Sequence, residues 1–593
     1  MVAENTSIDE IRKTVEDLCA FGQKVAGTEN EVRAANYLFE RLVTIGFSNV
    51  EKQPFKVHGW NPISCTVRIT KPFDKELEAA LFPYCKSESV QGPLVIIRED
   101  FDSESAVGIG KLALSDWGAD EYLGPRMTYF RAQASGYEGL IVGSRDEGDL
   151  LKVVVLATGG LLKIPVVCIA KEESESLRAL VENGGVEASI ETRVEVSPES
   201  QSFNVVATLQ GDGTSEHEIV VGAHYDSWFQ GAADNCAPAA SVLELARIFH
   251  GYVKGGRHLK RTVRFIFYGA EESGSNDFYF WLNGSKAYVR NNQESVSRTA
   301  AVLSLDSTGY TSPAKDHIYA TGDLFEFAKS LEVSSVKDPP LLFLDPPSYG
   351  SDHWFFEISG VPTIYGVSFP SPLYHTQKDD PEHLDFEAVH FYAEYMREAL
   401  EYLTNTDLLP IDIFLPLKHF DRIIGKYAKM EGHEFNLKPG LDRVRSIMKK
   451  EAAVRRYLKT VMKEQTADRL KETNQFLLRA ANIFNRTIGW TTRPLVTYNS
   501  DYLSRLELIE DYVQLTKAIE SLRSIPISII DSVSVERMER QSDNPYNWIH
   551  LHGPLAKLEE ECARIHKEIE TEIASVSTLL DALSSDISEL IGE

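Results

Sequence analysis

The chain has 593 residues, 43% of them hydrophobic and 25% charged, with a formal net charge of -27. That length suggests about 3–5 domains, and the composition is that of a globular protein. The negative charge argues against nucleic acid and against anionic membrane surfaces, both of which reward Lys and Arg.

The N-terminal text runs straight into a polar helix pattern. No basic stretch followed by an apolar run appears, so a signal peptide is not expected. No apolar run approaches the ~20 residues of a membrane span. The six cysteines, Cys19, Cys65, Cys85, Cys168, Cys236 and Cys562, make no C-x-x-C pair. They read as reduced thiols, and a cytoplasmic location is the expectation. Ser7-x-x-Glu10 and Thr28-x-x-Glu31 look like capping boxes that open two helices. Residues 1–57 are thus expected to hold two helices and an extended segment, as the first part of a catalytic domain.

Residues 58–199 change texture. Short apolar runs such as Gly139-Leu140-Ile141-Val142 and Val166-Val167-Cys168-Ile169 alternate with polar loops. This predicts a β-rich inserted domain that shapes access to a site elsewhere. From residue 200 to 409 strand and helix alternate. Strands are expected at 204–209, 219–225, 263–268, 300–305 and 363–367, with helices from Pro238 to Phe249 and from Phe278 to Val289. That pattern predicts an α/β layer with a largely parallel or mixed sheet. Residues 410–593 read as all-helical, with helices around Val444 to Phe484 and Leu503 to Leu522. In the last helix Ile565, Ile569, Ile573, Val576, Leu580, Leu583, Ile587 and Leu590 fall three and four apart. Such a stripe must be buried, within the chain or against a partner.

The chemistry-bearing residues sit at or just past the strand ends of the 200–409 segment, the edge where open α/β sheets bind ligands. They are His224, Asp226, Asp234, Glu271, Glu272, Asp306, Tyr374 and His375. Taken singly, His224 is an ordinary loop histidine and Asp234 a turn or cap residue. Taken together, two imidazoles and several carboxylates without a thiolate set suit a catalytic site for zinc or a similar divalent ion. Beside a metal, the pair Glu271-Glu272 divides labour, one as ligand and the other as base. Asp226 is placed to orient His224. No G-x-S-x-G elbow, P-loop or H-E-x-x-H is present.

The runs His224-Tyr225-Asp226-Ser227, Gly231-x-x-Asp234-Asn235, Glu271-Glu272-Ser273-Gly274, Leu305-Asp306-Ser307 and Tyr374-His375-Thr376 resemble the co-catalytic di-zinc exopeptidases. That family spans leucyl aminopeptidases, glutamate carboxypeptidase and the transferrin receptor ectodomain. The resemblance implies a mixed-sheet α/β core, a protease-associated domain over 58–199, and an all-α C-terminal domain that mediates a homodimer. It implies two zinc ions, with cobalt or manganese as substitutes. His224 and Asp306 would hold one, Glu272 and His375 the other, and Asp234 would bridge them. Glu271 would be the general base, Tyr374 would hydrogen-bond the oxyanion, and Asp379 would support the His375 loop. It also implies a cis Asp234–Asn235 peptide. The expected activity is removal of N-terminal residues from a peptide substrate. A carboxypeptidase or dipeptidase is the alternative, ahead of a receptor-like binding protein or a glutaminyl cyclase.

Overall fold

The computed structural model describes residues 5–97, 108–118, 121, 123–156, 160–275, 281–311, 313–333, 341–344, 350–488, single positions between 509 and 520, and 555–592. The expected helix from Leu503 to Leu522 lies largely outside these residues, and the helix expected from Phe278 is described from Asn283 to Asn291.

The core sheet is mixed, as the alternating pattern predicts. Glu218–His224 lies between Thr262–Tyr268 and Thr299–Asp306, parallel to both, and Thr363–Ser368 continues the parallel run. Asp316–Ala320 and the long strand Glu187–Leu209 add antiparallel neighbours on either side. The central strands are buried along their whole length, which is why they read as continuous apolar runs. Ala237–Lys254, Phe386–Asn405 and the two N-terminal helices Ile8–Cys19 and Glu29–Ile45 share a hydrophobic core with that sheet.

The inserted segment is tied to the core by a ribbon. Val50–Lys71 pairs antiparallel with Glu187–Leu209 across the whole interval. The change of sequence texture at 57/58 coincides with a bulge between Val57 and Gly59 in this ribbon. The segment holds its own small sheet, with Leu112–Ser115, Gly139–Gly143 and Val166–Ile169 side by side and parallel. It is β-rich, and it also carries the helices Leu123–Ala134 and Lys171–Glu182.

Two capping expectations part ways. Ser7 caps its helix, its hydroxyl accepting the Glu10 N–H. Thr28 makes no such bond. Its intended partner Glu31 is only 1% exposed and accepts from Gly27 N at 2.7 Å, Ser202 Oγ at 2.5 Å and Ala270 N at 3.0 Å. Glu31 therefore locks the second helix to the turn before Glu271. Burial, with Asp226 nearby, pushes its pKa up to about 8 against those hydrogen bonds. Glu31→Ala leaves three donors unpaired, two of them buried, at about 1–3 kcal/mol for each buried one. We expect a loss of about 3 kcal/mol or more, read from urea unfolding, and a change under 1 kcal/mol would contradict the lock.

The C-terminal segment is helical, through Phe414–Tyr427, Lys438–Met448, Glu451–Glu464, Ala467–Ile488 and Leu555–Ile591. The stripe Ile565, Ile569, Val576, Leu580, Leu583 and Ile587 is buried in the same core as Val444, Ile447 and Phe476. Of the two ways to bury it, the stripe is covered within its own chain.

Candidate metal centre

Six of the expected donors converge at the carboxyl edge of the core sheet. His224 and Asp306 end two adjacent parallel strands, while Glu271 and Glu272 occupy the turn after a third. Asp234 is carried by the loop that opens the helix Ala237–Lys254. Gly231 makes that loop possible: its φ is +60°, and a Cβ there would meet the Asp234 carbonyl oxygen at 2.2 Å. The Asp234–Asn235 peptide is cis, in agreement with the expectation, and Asn235 Oδ1 accepts the Ser307 N–H at 3.0 Å. His375 arrives from a separate loop with φ +58°.

The donors fall into two buried groups, His224–Glu271–Asp306 and Asp234–Glu272–His375, each with ligand atoms within 4.8 Å of one another. Asp234 faces both. Its Oδ1 lies 3.4 Å from His224 Nε2 and its Oδ2 lies 3.3 Å from His375 Nε2. His224 Nε2 is also 3.3 Å from Asp306 Oδ1, and His375 Nε2 is 3.1 Å from Glu272 Oε2. Glu271 Oε2 stands farther off, 3.9 Å from His224 Nε2.

Both imidazoles are oriented by main-chain carbonyls. His224 Nδ1 is 3.1 Å from the Asp226 carbonyl oxygen, and His375 Nδ1 is 3.2 Å from that of Val153. A carbonyl only accepts, so Nδ1 carries the hydrogen and Nε2 offers its lone pair to the centre. The Asp226 carboxylate, 3.5 Å from His224 Nδ1, has a further task. Its two oxygens accept the N–H groups of Glu271 and Glu272 at 2.9 and 3.1 Å. Asp379 likewise serves a loop other than its own. It accepts from Ala233 N at 2.7 Å and Asp234 N at 3.1 Å, and from the Tyr310 hydroxyl at 3.2 Å. The Tyr374 ring stacks on His375 with centroids 3.7 Å apart.

Protein groups alone leave this centre short of positive charge. Burial pushes Glu271 well above the usual carboxylate range; His224 opposes this, while Glu272 and Asp306 add to it. Burial lifts Glu272 to about 7 against the pull of His375. Burial disfavours the His375 imidazolium, yet Glu272 and Asp234 raise it to about 9. Asp234 is held below the ordinary range, because His224 and His375 outweigh its burial. Two buried donor atoms, Glu272 Oε1 and His375 Nε2, lack a hydrogen-bond partner. Imidazole nitrogens, surplus carboxylate and orphaned donor atoms together fit a pair of first-row divalent ions.

Several participants carry no role in the sequence reading. The Trp228 indole N–H donates to Glu272 Oε2 at 2.9 Å. Its place four residues after His224 was the available signal. Asp352, 1% exposed, is lifted to about 7 by burial, against His224. It sits in Ser351-Asp352-His353, just before the short helix Trp354–Glu357. The Val153 carbonyl has no side-chain signal at all.

Residues 204–400 match the model of peptidase family M28. Among curated relatives, a probable leucine aminopeptidase 2 of Aspergillus oryzae is 28% identical over 294 residues, 48% of this chain and 54% of that protein. This match therefore spans only about half of that relative. Carboxypeptidase Q of Rattus norvegicus is 23% identical over 371 residues, 60% of this chain and 75% of that one. A zinc aminopeptidase from Bacillus subtilis shares the fold with a TM-score of 0.53 at 21% identity, over 69% of this chain and 97% of its own. The residues that match the family model include every side chain assembled at the sheet edge, and it is through this segment, residues 204–400, that the chain is similar to peptidase family M28.

Proposed function

We propose that the protein is a two-metal aminopeptidase that removes N-terminal residues from peptides. His224, Asp306 and Asp234 would hold one ion, and Glu272, His375 and Asp234 the other. When bound, such ions polarise a scissile carbonyl and make water acidic enough to attack at neutral pH. Glu271 takes a proton from the attacking water and returns it to the leaving nitrogen. Asp226 fixes the main chain on which Glu271 stands, and the Tyr374 hydroxyl donates to the developing oxyanion.

The observation that favours an N-terminal substrate is the charge around the centre. Among the described residues, the hydrogen-bond and ion-pair partners of the six donors are each other, main chain, Asp226, Ser307, Trp228 and Asp379. No lysine or arginine is among them. A carboxypeptidase needs a fixed cation for the substrate carboxylate, preferably Arg. A carboxylate-rich centre suits a free ammonium instead.

Aminoacyl anilides should be hydrolysed, their N-acetyl derivatives should not, and a chelator should abolish the reaction. Preferential release of the C-terminal residue from N-blocked dipeptides would overturn the aminopeptidase reading in favour of a carboxypeptidase.

A further inference from the structure

The two candidate metal groups are supported differently. The group of His224, Glu271 and Asp306 is braced from within the core. Asp226 serves His224 and Glu271, and the Ser307 hydroxyl donates to Asp306 Oδ1 at 3.0 Å. Among the described residues, no hydrogen bond or ion pair to these three side chains comes from the inserted segment.

The group of Asp234, Glu272 and His375 is braced from across the domain junction. Residues 148–153 of the inserted segment lie antiparallel to 375–378, with a bridge between Lys152 and Thr376. Val153 N donates to the His375 carbonyl at 3.1 Å, and His375 Nδ1 donates back to the Val153 carbonyl at 3.2 Å. The Gln377 side chain closes the strap twice at 2.7 Å, accepting from Leu151 N and donating to the Asp149 carbonyl. The strap is itself pinned. Lys152 is 0% exposed, and its ammonium donates to Glu121 Oε1 at 2.8 Å and Asp146 Oδ2 at 3.2 Å. A second contact reaches the Glu272 turn. Gly274 N donates to the buried Tyr84 hydroxyl at 2.8 Å, and His58 N donates to the Gly274 carbonyl at 2.8 Å.

Resting on the two-metal reading, we propose that the strap of the inserted segment is a positioning element for the Asp234–Glu272–His375 site alone. The strap fixes the tautomer and direction of His375, whereas Tyr84 and His58 brace the turn that carries Glu271 and Glu272 together. The first site forms without the strap. Partners behind a metal-ligating histidine typically carry 10–100-fold in metal affinity, so loosening the strap should unload one ion and spare the other.

The test uses the full chain with Gln377→Ala, and separately Val153→Pro, which deletes the N–H given to His375. Zinc content is measured in zinc-buffered solution, and cobalt is titrated by its absorption spectrum. The wild type should hold two ions. Both variants should keep one at wild-type affinity and bind the second at least about tenfold more weakly. Lys75→Ala, which cuts the exposed Lys75–Glu173 pair of the same segment, should keep both. If Val153→Pro fails to fold, Gln377→Ala decides alone. Equal weakening of both sites, or two unaltered sites, overturns the strap while leaving the two-metal reading intact. A wild type that binds fewer than two ions refutes that reading itself.

Discussion

Glu271→Gln should retain both metal ions and lose about 10²–10⁴-fold in kcat, the usual scale of general acid–base catalysis. An amide cannot accept the water proton, but it fills the same space beside His224. Glu272→Gln should lose metal as well as activity. The geometry makes this comparison informative. Glu272 Oε2 is 3.1 Å from His375 Nε2, within the tight group, while Glu271 Oε2 is 3.9 Å from His224 Nε2. Yet Glu271 also belongs to a compact trio with His224 and Asp306. Metal analysis separates the two assignments. Equal loss of metal in both variants would make Glu271 a ligand and leave the proton transfer to another group.

The site donors were legible in the sequence because each stands where a strand stops and turn chemistry begins. His224 follows Ile219-Val220-Val221, Asp306 closes its strand, and Asp234 follows the glycine that its loop requires. The core strands were legible for the same reason, since burial on both faces leaves long apolar runs. What holds the donors was less visible. Asp226 acts through its carbonyl on His224 and through its carboxylate on the next turn, and sequence spacing shows neither. Asp379 braces the Asp234 loop although it follows His375 in the chain. Val153 contributes main-chain atoms only, from more than two hundred residues away. Glu31 has the spacing of a capping box, but burial drew it to Ser202 and Ala270. The C-terminal stripe was read correctly as buried, and periodicity alone could not say that its own chain covers it.

Removing the metal with a chelator should destabilise the protein, and the effect should grow with pH. A ligand at a hundred times its Kd contributes about 2.7 kcal/mol, so two tightly held ions contribute roughly 5 kcal/mol or more. For a large domain each kcal/mol moves Tm by about 2–4 °C, giving an expected fall of roughly 10–20 °C. The pH dependence follows from the carboxyls that burial raises. Glu272, Asp352 and Asp379 are all lifted to about 7, above their ordinary values. Below the ordinary range such groups are protonated in both folded and unfolded chains. Between that range and about 7 the folded chain binds more protons, so stability falls as pH rises through this window. His375, lifted to about 9, acts in the same direction, its contribution being complete below its ordinary value and lost through about 9. Asp234 has the opposite sign, but its window lies in acid below the carboxylate range. The loaded protein escapes the loss, because bound cations favour the deprotonated ligands. Thermal melts with and without chelator should therefore diverge between pH 5.5 and pH 8. A gap that stays constant or narrows over that interval would show that the buried carboxylates are balanced by something other than metal.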